Sequence, residues 1–408
     1  MSESSSGSAA AEGVSLWGLI SLSVAPAVAY GLSRFAYALL LPPMKTDLGL
    51  TFTEAGSINT ANNLGYLAGA VLAIALVRQS NAKRLFFFGI FATAVGLCAT
   101  APWRDLNALL AVRLVAGVPA AIALVAGGIL ATHAGGGNKL RSSLALNIYY
   151  CGGGLGIILS TIAALPILPV GSYAAWPLTW VLLGCLTIVC AVPALFTVRR
   201  IAMRPVNQNA PASIRRLAGM GSIGASYFCF GVGYIGYMTF VIAYLRGSDI
   251  GSYGIALFWV VVGIASSIGA FAWTPIFSRL SGAGAMAAVM ATIGIGALLP
   301  IVSPTLPMTT LSAVLFGSSF LSVVAAVNYA IRGQLPAEQW APAIATMTVI
   351  VSVGQSIGPI AAGWLSEGRG GLSTGLMISP ICLLLGASLA ALRAFSQRNS
   401  AQAKQAWS

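Results

Sequence analysis

Long apolar segments recur along the chain from about residue 15 to residue 394, and short polar or basic connections separate them. Each segment holds about 20 residues, which at 1.5 Å per residue is enough for an α-helix to cross a hydrocarbon layer of roughly 30 Å. The predicted helices cover residues 15–42, 53–77, 85–102, 108–131, 143–166, 176–198, 217–245, 252–275, 284–303, 308–331, 342–366 and 374–394. The pattern therefore predicts an all-α integral membrane protein with twelve transmembrane helices.

One longer connection divides these helices into two groups of six. This connection, residues 199–216, carries five arginines together with Pro, Asn and Gln and no acidic residue. Such a composition is typical of a linker. The predicted organisation is a disordered N-terminal tail at 1–14, an N-terminal six-helix bundle at 15–198, a basic cytoplasmic linker at 199–216, a C-terminal six-helix bundle at 217–394 and a cytoplasmic C-terminal tail at 395–408.

The two groups of helices also share short sequence similarities at a nearly constant offset. The segment YGLSRFAY, which ends at Tyr37, resembles FGVGYIGY, which ends at Tyr237, and GGGLG at 152–156 matches GQSIG at 354–358. Glycine is frequent in membrane helices, so chance agreement competes with duplication. The regular offsets favour two pseudo-symmetric bundles.

Composition supports a membrane protein and indicates its orientation. Hydrophobic residues make up 58% of the chain and charged residues 7%, with a mean hydropathy of +0.89, which excludes a water-soluble domain of this size. If the N-terminus is inside, fifteen Lys and Arg residues lie in inner connections and four in outer ones. Basic residues are retained on the cytoplasmic side. We therefore expect cytoplasmic termini and a location in the plasma membrane, the inner membrane of a bacterium.

Two arginines, Arg34 and Arg113, lie within predicted spans, whereas all eight carboxylates lie in tails, connections or span ends. A charge at membrane depth costs at least about 2.5 kcal/mol and usually serves a function. Arg34 lies roughly 12 Å from the predicted outer end of its helix, and we expect it to face a central cavity and bind an anion. For Arg113 two roles stay open, a second anion contact or a structural role, in which it snorkels to the membrane interface or caps backbone carbonyls of the first helix.

Polar and aromatic residues in the same helices complete a candidate substrate site. Tyr30 and Arg34 share a helix face, Tyr37 continues that stripe, and Asn59 and Asn63 share a face of the second helix. The full set of candidate substrate-binding residues is Arg34, Arg113, Tyr30, Tyr37, Asn59, Asn63, Asn147, Tyr234, Tyr237, Trp259, Asn328 and Gln355. Asparagine also bonds neighbouring helices and tyrosine also lies at membrane interfaces, so packing roles compete at these positions. Tyrosines around an arginine suit a carboxylate or an aromatic acid.

Several motifs resemble those of the major facilitator superfamily. RLVAG at 113–117 is similar to the fourth-helix R-x-x-x-G signature, and GQSIGPIAAG at 354–363 is similar to a G-x-x-x-G-P motif. GLSRFAYALLLPPM followed by NNLGYLAGA resembles more narrowly the YbfB/YjiJ group of bacterial permeases. The resemblance implies the major facilitator fold and transport by alternating access. Gating or helix packing is the expected role of Gly117, Gly152, Gly156, Gly354, Gly358 and Pro359.

These observations predict a secondary active or facilitative transporter of a small molecule, in the first place a small organic anion held by intramembrane arginine. Efflux of hydrophobic drugs or metabolites is the alternative, favoured by glycine-rich helices and abundant aromatic residues. An enzyme is not expected, and neither are cofactors or metals, because no nucleophile–base pair, metal cluster or cofactor motif appears in the spans. The expected partners are the substrate, the lipid bilayer and a coupling proton or counter-anion, with no nucleic acid, and the expected state is a monomer.

Overall fold

The computed structural model describes residues 14–77, 82–135, 139–167, 169, 173–201, 220–336 and 339–406. Within these residues the chain forms twelve long helices, and the short segments Leu165–Ile167 and Tyr173–Ala175 are 3₁₀ turns. The helices are α1 Leu16–Leu48, α2 Phe52–Val77, α3 Ala82–Thr100, α4 Leu106–Ala134, α5 Lys139–Ala164, α6 Trp176–Arg200, α7 Gly221–Leu245, α8 Gly251–Phe277, α9 Gly282–Val302, α10 Leu306–Gln334, α11 Trp340–Ser366 and α12 Gly371–Ala406.

Eleven helices in the described part of the chain are long and apolar enough to cross a membrane. The remaining helix, α2, is 26 residues long and carries Glu54, Asn59, Asn62 and Asn63. At 1.5 Å per residue its length also suffices for a span of roughly 30 Å. The predicted all-helical membrane fold is thereby confirmed.

Two predicted helix ends are wrong. The first helix continues through Pro42 and Pro43 to Leu48, and Gly49 ends it in the left-handed conformation, φ +65°. A proline removes its own N–H and displaces the carbonyl four residues earlier, which bends a packed helix without always ending it. Arg34 therefore lies near the middle of the 33-residue helix α1, deeper than the predicted 12 Å.

The last helix continues to Ala406, beyond the predicted end at residue 394. Its final turns contain Gln, Ala and Lys, which favour a helix even outside the membrane. Residues 1–13 of the predicted N-terminal tail at 1–14 and residues 202–216 of the predicted linker at 199–216 lie outside the described residues.

The helix contacts repeat between the two halves of the chain. Helix pairs α1–α5, α2–α4, α3–α4 and α3–α6 pack together in the first half. The pairs shifted by six helices, α7–α11, α8–α10, α9–α10 and α9–α12, pack together in the second half. The fold is therefore built from two pseudo-symmetric six-helix bundles, as the sequence offsets predict.

The two bundles meet mainly through α2 with α11, α5 with α8 and α1 with α7. We call the end of the molecule where α1 begins and α12 ends the terminal end; there the backbone N–H of Val14 donates to the carbonyl of Ala134. The opposite end, where α1 ends and α2 begins, is the distal end. By the distribution of basic residues, the terminal end is the predicted cytoplasmic side.

Candidate functional site

The middle of α1 is a π-helix, a feature that the apolar pattern does not predict. It covers Ala27–Phe35, and the N–H of Ala36 donates to the carbonyl of Gly31, five residues earlier. Pro26 precedes it in the helix. Stretches of π-helix are rare and occur frequently at functional sites. This one carries Tyr30 and Arg34.

Close contact with α5 holds the π-helix in place. A Cβ atom on Gly31 would overlap the backbone of Gly156, and a Cβ atom on Gly156 would overlap the carbonyl of Ala27. Only glycine lets two backbones approach so closely. The two glycines therefore set the distance between α5 and the segment that carries Arg34.

Arg34 is buried, with 3% of its surface exposed, and it is bonded to neutral groups. Its Nη2 donates to Oδ1 of Asn63 at 2.7 Å and to Oε1 of Gln355 at 2.9 Å. Among the described residues its Nε has no hydrogen-bond partner. Hydrogen bonds to a charged group contribute about 1.5–3 kcal/mol each. The two amides thus offset the cost of burial in part, without supplying a negative charge.

No carboxylate of the described chain lies at the depth of Arg34. The described acidic residues all lie at the distal end, at Asp47, Glu54, Asp105, Asp249 and Glu367. Asp47 follows Arg34 by 13 residues on the same helix, a distance of roughly 20 Å. The positive charge of Arg34 therefore has no counter-charge from the described residues around it.

A cavity of about 120 Å³ lies between the two bundles, with Arg34 in its wall. Its lining consists of Tyr30, Arg34, Phe35, Tyr66, Tyr227, Phe230, Tyr234, Phe320, Leu321, Val324, Thr348, Val351, Ser352 and Gln355. On α1, α2, α7, α10 and α11 these residues continue from the level of Arg34 toward the terminal end. The cavity therefore extends from Arg34 toward that end.

Aromatic residues make up half of the cavity lining, seven of its fourteen residues. On the second bundle, the rings of Tyr227, Phe230 and Tyr234 are nearly parallel, with neighbouring centroids 5.8 and 4.5 Å apart and interplanar angles of 2° and 11°. On the first bundle, the Tyr30 ring stacks on Phe35 at 6.2 Å and 19°. These rings therefore supply much of the apolar surface of the cavity lining.

Arg34 also contacts this aromatic wall. Its guanidinium carbon lies 5.6 Å from the ring centroid of Tyr66 and 6.0 Å from that of Phe35, within the range of cation–π attraction. Gln355, which accepts from Arg34, donates through Nε2 to the hydroxyl of Tyr234 at 2.9 Å. The guanidinium therefore links α1 and α2 of the first bundle to α7 and α11 of the second.

On the distal side of Arg34 the bundles are joined along α2 and α11. Nδ2 of Asn63 donates to Oγ of Ser356 at 3.1 Å, and Oγ1 of Thr60 donates to the carbonyl of the same residue at 2.9 Å. At the distal end the backbone N–H of Thr53 donates to a carboxylate oxygen of Glu367 at 3.0 Å. The cavity is therefore closed toward the distal end.

The structure places Arg113 behind the cavity wall. It is fully buried, and its Nη2 donates to the carbonyl of Ser33 at 2.7 Å. Its guanidinium carbon lies 4.6 Å from the ring centroid of Trp180 and 6.0 Å from that of Tyr37. This geometry favours the structural alternative, since Arg113 binds the backbone of the π-helix one residue before Arg34.

Other candidate residues also lie outside the cavity lining. The hydroxyl of Tyr37 donates to the carbonyl of Ala55, Tyr237 pairs with Ser312, Nε1 of Trp259 donates to Ser160, and Nδ2 of Asn59 donates to Thr239. Asn147 is exposed and Asn328 is partly buried. The prediction that Tyr37 continues the helix face of Tyr30 and Arg34 is therefore wrong. The π-helix has a hydrogen-bonding step of five residues, so the residues after it are rotated relative to an α-helix.

Sequence reasoning missed much of the aromatic wall, including Phe35, Tyr66, Tyr227, Phe230 and Phe320. A usable signal existed in two helices. Tyr66 follows Asn63 by three residues, and the aromatic residues at 227, 230 and 234 recur at helical spacing on α7. An aromatic stripe of this kind is common in ordinary packing, so the sequence pattern does not distinguish a cavity wall from a core.

The glycines predicted for gating or packing lie at helix contacts. A Cβ atom on Gly117 would overlap the backbone of α2, one on Gly152 the backbone of α1, and one on Gly354 or Gly358 would crowd the backbone of α7. The carbonyl of Pro359 lies where a Cβ atom on Gly56 of α2 would be. These positions bring helices together within and between the bundles.

Comparison with known proteins agrees with this architecture. A family model described as "Uncharacterised MFS-type transporter YbfB" matches residues 26–391. The chain belongs to this family. The YbfB-type match covers all twelve helices except the beginning of α1 and the end of α12. The protein is therefore a multi-pass membrane transporter of the major facilitator type.

Individual known proteins also resemble this chain. The YbfB-type chain is 32% identical over 173 residues to a chloramphenicol resistance protein of Streptomyces lividans, a match that spans 42% of this chain and 41% of that protein. A crystal structure of the nucleoside transporter NupG superposes with a TM-score of 0.68 at 16% identity, covering 93% of this chain and 98% of that one.

A second solved structure has the same fold. It is a bacterial homologue of the human lysosomal transporter Spinster, in an inward-facing and unoccupied conformation, with a TM-score of 0.66 at 15% identity. The match covers 93% of this chain and 95% of that one. At these identities the similarity establishes the shared transporter fold.

Proposed function

We propose that this protein is a secondary transporter that carries a small organic anion across the plasma membrane by alternating access, with Arg34 as the residue that binds the anion. The observation that carries the proposal is the environment of Arg34. The guanidinium is buried in the cavity wall, its described partners are neutral amides, and its Nε has no described acceptor. An anionic substrate would supply the missing charge.

The energetic argument favours a ligand over a purely structural role. A buried charge without a counter-charge costs several kcal/mol, and two amide hydrogen bonds offset only part of that cost. A carboxylate binds a guanidinium through charge-assisted and often bidentate hydrogen bonds, which are stronger than bonds to amides. Binding of an anion therefore gains more free energy at this position than at an exposed arginine, where water already solvates the charge.

The position of the cavity supports alternating access. It lies between the two bundles near the middle of α1, extends toward the terminal end and is closed toward the distal end by the α2–α11 contacts. Substrate sites of such transporters lie near the membrane midplane between repeated bundles. A cavity accessible from one end corresponds to one of the two states that alternating access requires.

A second candidate function is efflux of neutral aromatic compounds. The similarity to a chloramphenicol resistance protein and the aromatic cavity wall favour it. In that case Arg34 would hold the two bundles together through Asn63 and Gln355, and ligand binding would depend on the rings. A lipophilic cation fits neither function, because Arg34 would repel it.

Ligand-induced thermal stabilisation of the purified protein tests these functions. A ligand that binds the folded state raises its apparent stability, by about 2.7 kcal/mol at a hundredfold excess over the dissociation constant. The panel comprises small organic anions, neutral aromatic compounds including chloramphenicol, and lipophilic cations. We expect anions to stabilise the wild type and to lose at least about tenfold in affinity with Arg34→Gln, because a charge-assisted bond contributes about 1.5–3 kcal/mol.

Arg279→Gln is the control, since it removes an exposed guanidinium just beyond the end of α8, at the terminal end and outside the cavity lining. It should retain most of the anion affinity. Uptake of the stabilising anion into proteoliposomes then separates transport from binding. Stabilisation by neutral aromatic compounds alone, unchanged in Arg34→Gln, would replace the anion function with the efflux function.

A further inference from the structure

We infer that the preferred substrate is an anion carried on a single planar aromatic ring, a substrate class that rests on the proposed anion-binding role of Arg34. The inference comes from the aromatic walls of the cavity. They are observed independently of the Arg34 charge at its closed end. Seven aromatic side chains line a space of about 120 Å³. The geometry of these rings decides which anions fit.

The second bundle supplies a wall of parallel rings. The planes of Tyr227 and Phe230 differ by 2°, those of Phe230 and Tyr234 by 11°, and those of Tyr234 and Phe320 by 18°. Because each ring is nearly parallel to the next, the wall is a stack from the terminal side up to the level of Arg34. A planar ligand ring has offset-stacked or edge contacts available along this stack.

The first bundle supplies the facing aromatic residues. The rings of Tyr30 and Phe35 are stacked, and the ring centroid of Tyr66 lies 6.3 Å from that of Tyr30. Phe35 meets Phe320 of the second bundle edge to face, with centroids 5.6 Å apart and an angle of 81°. The two walls therefore converge beside Arg34, so the space between them narrows where the charge is located.

The volume limits the ligand to about one ring. An apolar cavity of roughly 150 Å³ is large enough to bind benzene, and the present space is about 120 Å³. Fused or linked ring systems exceed this volume and would extend out of the cavity toward the terminal end. An acidic group attached directly to one ring places its charge at Arg34 while the ring stays between the walls.

An aliphatic anion of equal size gains the charge contact but loses the ring contacts. Aromatic pairs contribute beyond the area they bury, equivalent to about two- to tenfold in affinity. Benzoate and cyclohexanecarboxylate are a suitable pair of probes, since both carry one carboxylate on a six-membered ring and only benzoate is planar and aromatic. We expect benzoate to bind several-fold more tightly.

The test measures dissociation constants of both probes for the wild type and for Phe230→Leu by titration calorimetry of the purified protein. Leucine keeps the site apolar and removes the ring. The preference for benzoate should fall toward equal affinity in Phe230→Leu. Phe320→Leu is the second variant in case the first does not fold. Phe86→Leu, at a fully buried ring on α3 outside the cavity, is the matched control and should keep the preference.

The outcomes separate this inference from the proposed function. Equal binding of both probes, abolished in Arg34→Gln, overturns the aromatic class and leaves anion transport in place. Binding of short aliphatic anions without binding of benzoate also overturns the aromatic class and leaves anion transport in place. Failure of every anion to bind, or anion binding unchanged in Arg34→Gln, overturns the proposed function itself.

Discussion

At the scale of single residues, the two buried guanidinium groups differ in what they contact. Arg34 lines the cavity and bonds to two neutral side chains from different bundles. Arg113 bonds to a backbone carbonyl and stacks near Trp180 within one bundle. Both are buried arginines in apolar helices, so their sequence contexts look alike. The neighbours of Arg34 leave its guanidinium in the cavity wall, where it can bind a ligand. The neighbours of Arg113 tie its guanidinium to the backbone of α1, where it positions that helix.

A glutamate in place of Gln355 tests whether Arg34 is held ready for an anion. Gln355→Glu has nearly the same shape and brings a carboxylate to the oxygen position that already lies 2.9 Å from Nη2 of Arg34. The internal carboxylate would compete with the substrate, so we expect anion affinity to fall at least about tenfold. Titration of the variant with the anions that stabilise the wild type measures this loss.

The same change of charge elsewhere provides the control. Gln334→Glu lies at the end of α10, at the terminal end and away from Arg34, and should leave anion affinity within about threefold, because screening by salt weakens interactions between distant charges. Unchanged affinity in Gln355→Glu would mean that the anion does not bind at Arg34.

At the scale of helices, the π-helical segment of α1 depends on its contact with α5. The backbone of Gly156 lies against Ala27 and Gly31, so the segment that carries Arg34 is packed on glycine. Arg113 binds the same segment through the carbonyl of Ser33. The unusual helix geometry is therefore supported from two neighbouring helices.

A methyl group at this contact should disturb both stability and binding. Gly156→Ala places a Cβ atom against the carbonyl of Ala27, and overpacking of this kind costs about 1–3 kcal/mol. We expect a lower apparent melting temperature and weaker anion binding, since the displaced segment carries Tyr30 and Arg34. Thermal unfolding in detergent, with and without anion, measures both effects.

Gly333→Ala is the matched control because a Cβ atom on Gly333 has no neighbour within 4 Å among the described residues. It should leave the melting temperature nearly unchanged. Equal effects of the two substitutions would show that the contact between α5 and the π-helix is loose and does not support the segment.

At the scale of the whole molecule, the distal end is closed by bonds between the bundles. Glu367 accepts from the backbone N–H of Thr53, and Nη2 of Arg246 donates to the carbonyl of Ile167 at 2.7 Å. Alternating access requires such contacts to break when the other state forms. A weaker distal contact should therefore increase the population that is open at the distal end.

Glu367→Gln tests this expectation, because it removes the negative charge that accepts from the backbone N–H of Thr53 in the first turn of α2. Spin labels at positions 46 and 368, in a variant without native cysteines, report the distance between the bundles at the distal end. We expect the variant to show a larger share of long distances. Anion binding to the cavity from the terminal end should weaken as the share of long distances increases.

Glu54→Gln is the control for this experiment. Glu54 accepts from the backbone N–H of Thr51 at 2.8 Å within its own bundle, so its loss affects the start of α2 without removing a bond between bundles. It should keep the wild-type distance distribution. Matching distributions in the two variants would mean that Glu367 does not hold the distal end closed.

Sequence by itself determined the membrane class, the twelve spans and the presence of an intramembrane arginine without a nearby acidic residue. These properties are local, since hydropathy and charge add up along one segment whatever its neighbours are. It also pointed to Tyr30, Asn63, Tyr234 and Gln355, which lie in or beside the cavity wall together with Arg34. Their helical spacing carried that information.

Tertiary structure alone decided which residues share the cavity. The π-helix turns Tyr37 away from Tyr30 and Arg34, although an α-helix would place all three on one stripe. Glycine contacts set how closely and at what rotation α1 meets α5, and Phe230 and Phe320 come from helices far apart in the sequence. Helix rotation and packing between bundles depend on contacts between distant segments, which the pattern along a single helix does not contain.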